Sequence, residues 1–184
     1  MPADNPGNVK LKNKKYYQIR TLVCKNFSEK AKFDFAIQYM ANVLLQCDTQ
    51  PALVQSVSPL VISAYSDEMD AVIFLRFPDE LVDIYGLTPG MRLVTSTNYE
   101  RLADKVAPDI FPGSDFSGLY GDFIPIVQLF LAGKKQILFT GGDQEIRERP
   151  SIFSEEIWQK VEKLTAEYAA RGLSRDGFFF VQKR

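Results

Sequence analysis

The chain is expected to fold as an α+β domain, with a mainly antiparallel sheet of five or six strands and helices packed on it. Three features of the sequence predict this. Two apolar runs, 60–65 and 71–77, flank the polar cluster Ser66-Asp67-Glu68-Met69-Asp70, the pattern of a hairpin and hence of antiparallel pairing. Further on, Ile157, Val161, Leu164 and Tyr168 recur at helical spacing behind the capping residue Ser154. Strand-like and helix-like segments interleave without the strict alternation that builds a parallel sheet. At 184 residues with 46% hydrophobic and 24% charged side chains, the chain can bury a full core without disulfides or metal.

Residues 1–14 are expected to be a flexible basic tail ahead of a single domain over 15–184. Pro2, Pro6, Gly7 and three asparagines in this stretch are interspersed with Lys10, Lys12 and Lys14. The β-branched and aromatic run 16–23 predicts a strand. Ser28 is placed to cap a helix over 29–47, apolar on more than one side and followed by Pro51. After the hairpin, Pro78 with Asp79 and Glu80 opens a short helix that Gly86 closes. Pro89-Gly90 is a type II turn, and 91–95 is a strand. Thr97 and Glu100 fit a capping box, which predicts a helix over 98–106 stopped by Pro108. Phe123, Ile126, Val127, Phe130 and Leu131 fall at i, i+3, i+4, i+7 and i+8 after Asp122, which predicts another helix, ended by Gly133. Residues 136–140 read as a strand. The last helix closes at Arg171-Gly172, and 177–182, with Phe178, Phe179 and Phe180, reads as an inner strand in which Phe179 faces Ile37, Met40 and Leu164.

Composition excludes several chemistries. The chain has no histidine, which removes Ser-His-Asp and Cys-His catalysis and any imidazole-bound metal. Net charge is −1, unevenly spread: seven basic and two acidic residues over 1–30, five and thirteen over 31–133, ten and eight over 134–184. No global positive field would gather nucleic acid, and the basic start reads as a solvated face. Cys24 and Cys47 are too few for a secreted disulfide framework and read as small buried residues, although Lys25 beside Cys24 could lower a thiol pKa. The start lacks a signal-peptide core. The most apolar run, 123–132, falls far short of the ~20 residues that span a bilayer. A cytoplasmic protein without membrane contact or cofactor is the expectation.

Three segments are candidate sites. Thr140-Gly141-Gly142-Asp143 could cradle a phosphate, but no Gly-Lys-Ser/Thr follows and its acids oppose one; a plain turn is the ordinary reading. Asp67, Glu68 and Asp70 could hold a hard cation, yet lack calcium-loop spacing and read first as a solvated hairpin tip. Segment 107–122 is long and aperiodic, the signature of a binding loop or of an Ω-loop pinned by its own phenylalanines. Its Asp109, Asp115, Tyr120 and Asp122 are the candidate partner- or ligand-binding residues, and Asp109 with Asp115 could perform acid–base work if they converged.

Residues 59–95 run hairpin, Phe77-Pro78-Asp79-Glu80-Leu81, then Tyr85-Gly86-Leu87-Thr88-Pro89-Gly90-Met91 and a strand. This segment resembles the swapped hairpin of the AbrB-like transcription factors, over about a fifth of the chain. In that family it forms an intertwined dimer that binds DNA. The family's acidic residue after the turn glycine is Met91 here, and Asp70, Val82 and Asp83 stand near the family's basic positions. DNA binding is therefore not carried over to these residues.

The leading reading is a non-catalytic domain that binds a protein partner or a second copy of itself, since 14 Phe and 8 Tyr exceed the needs of a core this size. A small-ligand binder or enzyme using carboxylates of the 107–122 loop comes second. A DNA-associated regulator acting through 59–95 comes third, nucleic acid not being expected as a partner.

Overall fold

The structure, a computed structural model, describes residues 3–101, 105–133 and 152–182. It is an α+β fold built on one curled sheet. Five long strands pair antiparallel: β1 (Asp48–Val57), β2 (Leu60–Ser66), β3 (Ala71–Arg76), β4 (Arg92–Arg101) and β6 (Tyr120–Val127). Two two-residue strands, β5 (Phe111–Pro112) and β7 (Arg175–Asp176), share the outer side of β3, the second of them parallel. The sheet order is β5-β3-β2-β1-β4-β6, with β7 beside β3. The helices are α1 (Asn13–Val23), α2 (Phe27–Phe35), α3 (Ile37–Gln46), α4 (Glu80–Tyr85), α5 (Gln128–Leu131) and α6 (Glu155–Ala169), and Phe179–Val181 makes a 3-10 turn.

Both faces of the central strands are apolar, so both must be covered. Ala52, Val54, Ile62, Ala64, Ile73, Leu75 and Leu93 face a large core shared with α1, α3 and α5 and with Phe178 and Phe180. Leu53, Val61, Tyr65, Val72, Phe74 and Val94 face α6 through Trp158, Val161 and Leu164. A buried hydroxyl pair, Ser63 Oγ and Thr165 Oγ1 at 2.7 Å, fixes α6 on this second face.

The local signals hold where turn chemistry sets the chain path. The hairpin forms as expected; Gly86 closes α4 at φ +61° and Gly90 takes φ +83° in its turn. Ser154 Oγ accepts the Ile157 N–H at the start of α6. Four expected elements differ. Segment 16–23 is helix, because Tyr16 and Ile19 share one buried face and the intervening polar residues favour helix over strand. The 29–47 helix is two helices broken at Ala36, and its cap is Asn26, whose side chain accepts the Glu29 N–H, rather than Ser28. Thr97 does not cap a helix over 98–106: it is buried in β4, bonded to Thr95, and the strand runs to Arg101. Residues 120–127 are strand, not a helix capped by Asp122. A strand buried on both faces carries apolar residues at every spacing, and Pro125 is tolerated because, among the described residues, β6 pairs only with β4. The expected strand 136–140 and the Gly141-Gly142 turn lie outside the described residues.

Two terminal segments also depart from expectation. The stretch ahead of α1 is docked rather than free. Gly7, Asn8 and Val9 donate their N–H groups to the carbonyls of Cys47, Leu45 and Leu44, which the last turn of α3 leaves without helical partners. Val9 is fully buried, and a Cβ on Gly7 would overlap the Leu44 carbonyl. At the other end, 177–182 is not a strand: Phe178 and Phe180 are buried, whereas Phe179 is only half-buried and lies against the Arg175 guanidinium. Phe180, on Tyr39, occupies the core position expected for Phe179.

Deleting residues 1–11 should therefore lower stability by at least about 2 kcal/mol in urea denaturation, where a free tail would leave the midpoint unchanged. In the same assay Phe180→Ala should cost about 3–5 kcal/mol and Phe179→Ala clearly less.

Candidate functional site

The 107–122 loop is gripped by the tip of the β2–β3 hairpin. Asp70 sits at φ +46° and is buried, its carboxylate turned inward. One oxygen accepts the Tyr65 hydroxyl and the other the Asp115 N–H, each at 2.7 Å, while the Asp70 carbonyl accepts the Gly113 N–H. Gly113 is required here, because a Cβ would overlap the Asp70 carboxylate. Ser117 adds bonds from its N–H to the Met69 carbonyl and from its hydroxyl to the Glu68 carbonyl. Asp70 thus bonds the loop, and among the described residues no group of three acidic or thiol side chains is arranged to hold a metal ion.

The candidate carboxylates divide into two places. Asp109 and Asp122 converge on Arg175. The guanidinium grips Asp109 with Nε, at 2.5 Å, and Nη2, and holds both oxygens of Asp122 with Nη1 at 2.9 and 3.1 Å. Its side chain is 12% exposed, and those of Asp109 and Asp122 are 27% and 10% exposed. Charges this far from water persist because the fork geometry matches two carboxylates at once. Both carboxylates raise the Arg175 pKa against the opposing effect of burial, so it stays a cation. Asp115 lies elsewhere, exposed, with Lys160 of α6 at 3.6 Å. Asp109 is therefore joined to Asp122 rather than to Asp115. Tyr120 is half-buried and stacked on Tyr99, ring centroids 4.7 Å apart.

Between this loop and α6 lies an open cleft of about 390 Å³, lined in part by Asp70, Ser114, Lys160, Lys163 and Glu167. Its charges are mixed. Neither thiol is activated. Burial raises the Cys24 pKa, with Glu29 adding to it, and burial likewise raises that of Cys47, so the lowering that Lys25 could have brought to Cys24 does not occur.

The surface that remains unexplained is on α2. Phe27 is 87% exposed and Phe35 77% exposed, with the exposed Ala31 between them at i+4. The three form a ridge facing away from Phe33, the one side chain of α2 that enters the core. Tyr17, on the neighbouring α1, is a third exposed aromatic. Reading the sequence missed this ridge because Phe27, Phe33 and Phe35 look alike as apolar residues; the break at Ala36 decides which of them points outward. Arg175 was missed because its partners lie over 50 residues away.

Comparison with family profiles, curated proteins and solved structures found no match.

Replacing Arg175 with Met should destabilise the fold by about 3–5 kcal/mol, since two partly buried carboxylates lose their cation. Arg175→Lys should recover only part of this, because an ammonium cannot fork to both; equal stability of the two variants in chemical denaturation would contradict the clamp. Tyr65→Phe should cost about 1–3 kcal/mol by leaving one Asp70 oxygen without its donor. Both cysteines should react with a thiol reagent at pH 7 more slowly than free cysteine.

Proposed function

We propose that the chain is a non-catalytic protein-interaction domain and that α2 is its contact element. The observation that carries this reading is the Phe27–Ala31–Phe35 ridge, two phenylalanines held almost fully in water on an ordered helix. A folded chain gains nothing in stability from such side chains, whereas apolar anchors at i, i+4 and i+8 are what a helix presents to a groove. The carboxylate-based alternative draws less support, because Asp109 and Asp122 are engaged by Arg175 and Asp115 stands apart from them. The DNA-associated alternative is likewise weaker, since Asp67, Glu68, Glu80 and Asp83 lie exposed along the 59–95 segment. A cytoplasmic setting belongs to the proposal. It is supported by the free thiols of Cys24 and Cys47, and no helix among the described residues is long and apolar enough to cross a membrane.

The test is a pair of measurements on Phe27→Ala/Phe35→Ala. Thermal melting should stay within about 2 °C of the parent, because neither ring is buried. Proteins recovered with the parent chain from its native cell, identified by mass spectrometry, should be depleted at least tenfold with the variant. Equal recovery would remove α2 from the interface.

A further inference from the structure

We infer that the partner seated on α2 is a different protein, one that offers an apolar groove bordered by carboxylates, and not a second copy of this chain. The inference rests on α2 being the contact element and adds the chemistry of its occupant. Charge around the ridge carries it. Both acids of α2 are bonded within the chain itself. Glu29 accepts the Lys25 N–H at 2.6 Å and the Asn26 amide at 2.9 Å. Asp34 accepts both arms of Arg20, at 2.7 and 2.6 Å, and the Tyr16 hydroxyl, contacts that hold its carboxyl below the ordinary range. Lys25, Lys30 and Lys32 pair with no carboxylate among the described residues. The surroundings of the ridge are therefore basic, and the N-terminal end of α2, at Phe27, adds the positive end of the helix dipole.

The same geometry argues against a second copy. Two α2 helices crossing antiparallel about Ala31 would bring Phe27 of one copy beside Phe35 of the other. That register also sets Lys30 beside Lys30 of the other copy on one flank of the ridge and Lys32 beside Lys32 on the other. Like charges facing each other at a desolvating contact oppose association. An acidic border satisfies the same lysines while the groove takes the two rings, and rim charges of this kind steer the encounter and select the partner.

The experiment places p-benzoyl-phenylalanine at position 27 of the full chain in its native cell and irradiates it. The expected product is an adduct with another protein whose cross-linked peptide carries Asp or Glu within a few residues of the attached apolar side chain. Lys30→Glu/Lys32→Glu, checked by thermal melting to be folded, should lower the adduct yield at least fivefold. An adduct of two copies of this chain overturns the inference while leaving α2 as a contact element. So does a hetero-adduct whose yield ignores the charge reversal. Absence of any adduct, with the variant chain folded and expressed, overturns the assignment of α2 itself. Sedimentation of the purified chain gives an independent check: a monomer up to about 100 μM is expected, and a dimer that Phe35→Ala dissolves counts against the inference.

Discussion

The two ends of the sheet meet at one guanidinium. Arg175 lies on β7, beside β3, whereas Asp122 lies on β6, at the far end of the strand order. A flat sheet would hold these residues several strand widths apart, at about 4.8 Å per step. Their contact at 2.9 Å requires the sheet to curl back on itself, as strand twist allows once it accumulates over several strands. Asp109 joins them from the segment ahead of β5, and the Ala107 N–H bonds to the Gly121 carbonyl nearby. The curl leaves one concave face, filled by Tyr16, Phe33, Met40, Leu44, Phe130 and Phe180.

From that closure follows the role of the 107–122 loop. A loop of this length in a compact domain needs either a function or anchors. Here the anchors are identified: Asp109 on Arg175, Gly113 and Asp115 on Asp70, Ser117 on the hairpin tip, Phe111 between Phe74 and Tyr168. The carboxylates that looked like chemistry in the sequence are thereby committed to cross-linking segments distant along the chain. Aspartate suits this task because its short side chain accepts two or three donors without adding much freedom to be lost.

The legible part of the fold is the part where local signals and tertiary demands coincide. Gly86 and Gly90 need positive φ, Ser154 needs a free N–H to accept, and Ser66–Asp70 needs only solvent and a reversal; each is a short-range requirement. Segments 16–23, 98–101 and 120–127 were misleading for the opposite reason. Their residues fit two periodicities, and the choice between them was made by strand partners and core faces far away in sequence. Candidate sites show the same division. Asp109, Asp115, Tyr120 and Asp122 could be chosen from the sequence as a group, but only the fold separates the pair held by Arg175 from Asp115 and from the Tyr99–Tyr120 stack. Arg175 itself carries no local mark at all.

Aromatic content is the last place where composition and structure meet. An excess of 14 Phe and 8 Tyr was the positive reason to expect an interface, and on composition alone that reason is weak. The fold places most of the described rings in its interior, in a connected set from Tyr16 through Phe33 and Phe178 to Phe77 and Phe130. Only Tyr17, Phe27 and Phe35 remain broadly exposed among the described aromatics. All three lie on α1 and α2, and the acids of α2 are bonded within the chain itself. Core packing therefore explains the number of aromatic residues but not the position of these three. Their exposure has no benefit to folding, and their segregation beside unpaired lysines is the arrangement that an acidic, grooved partner would complement.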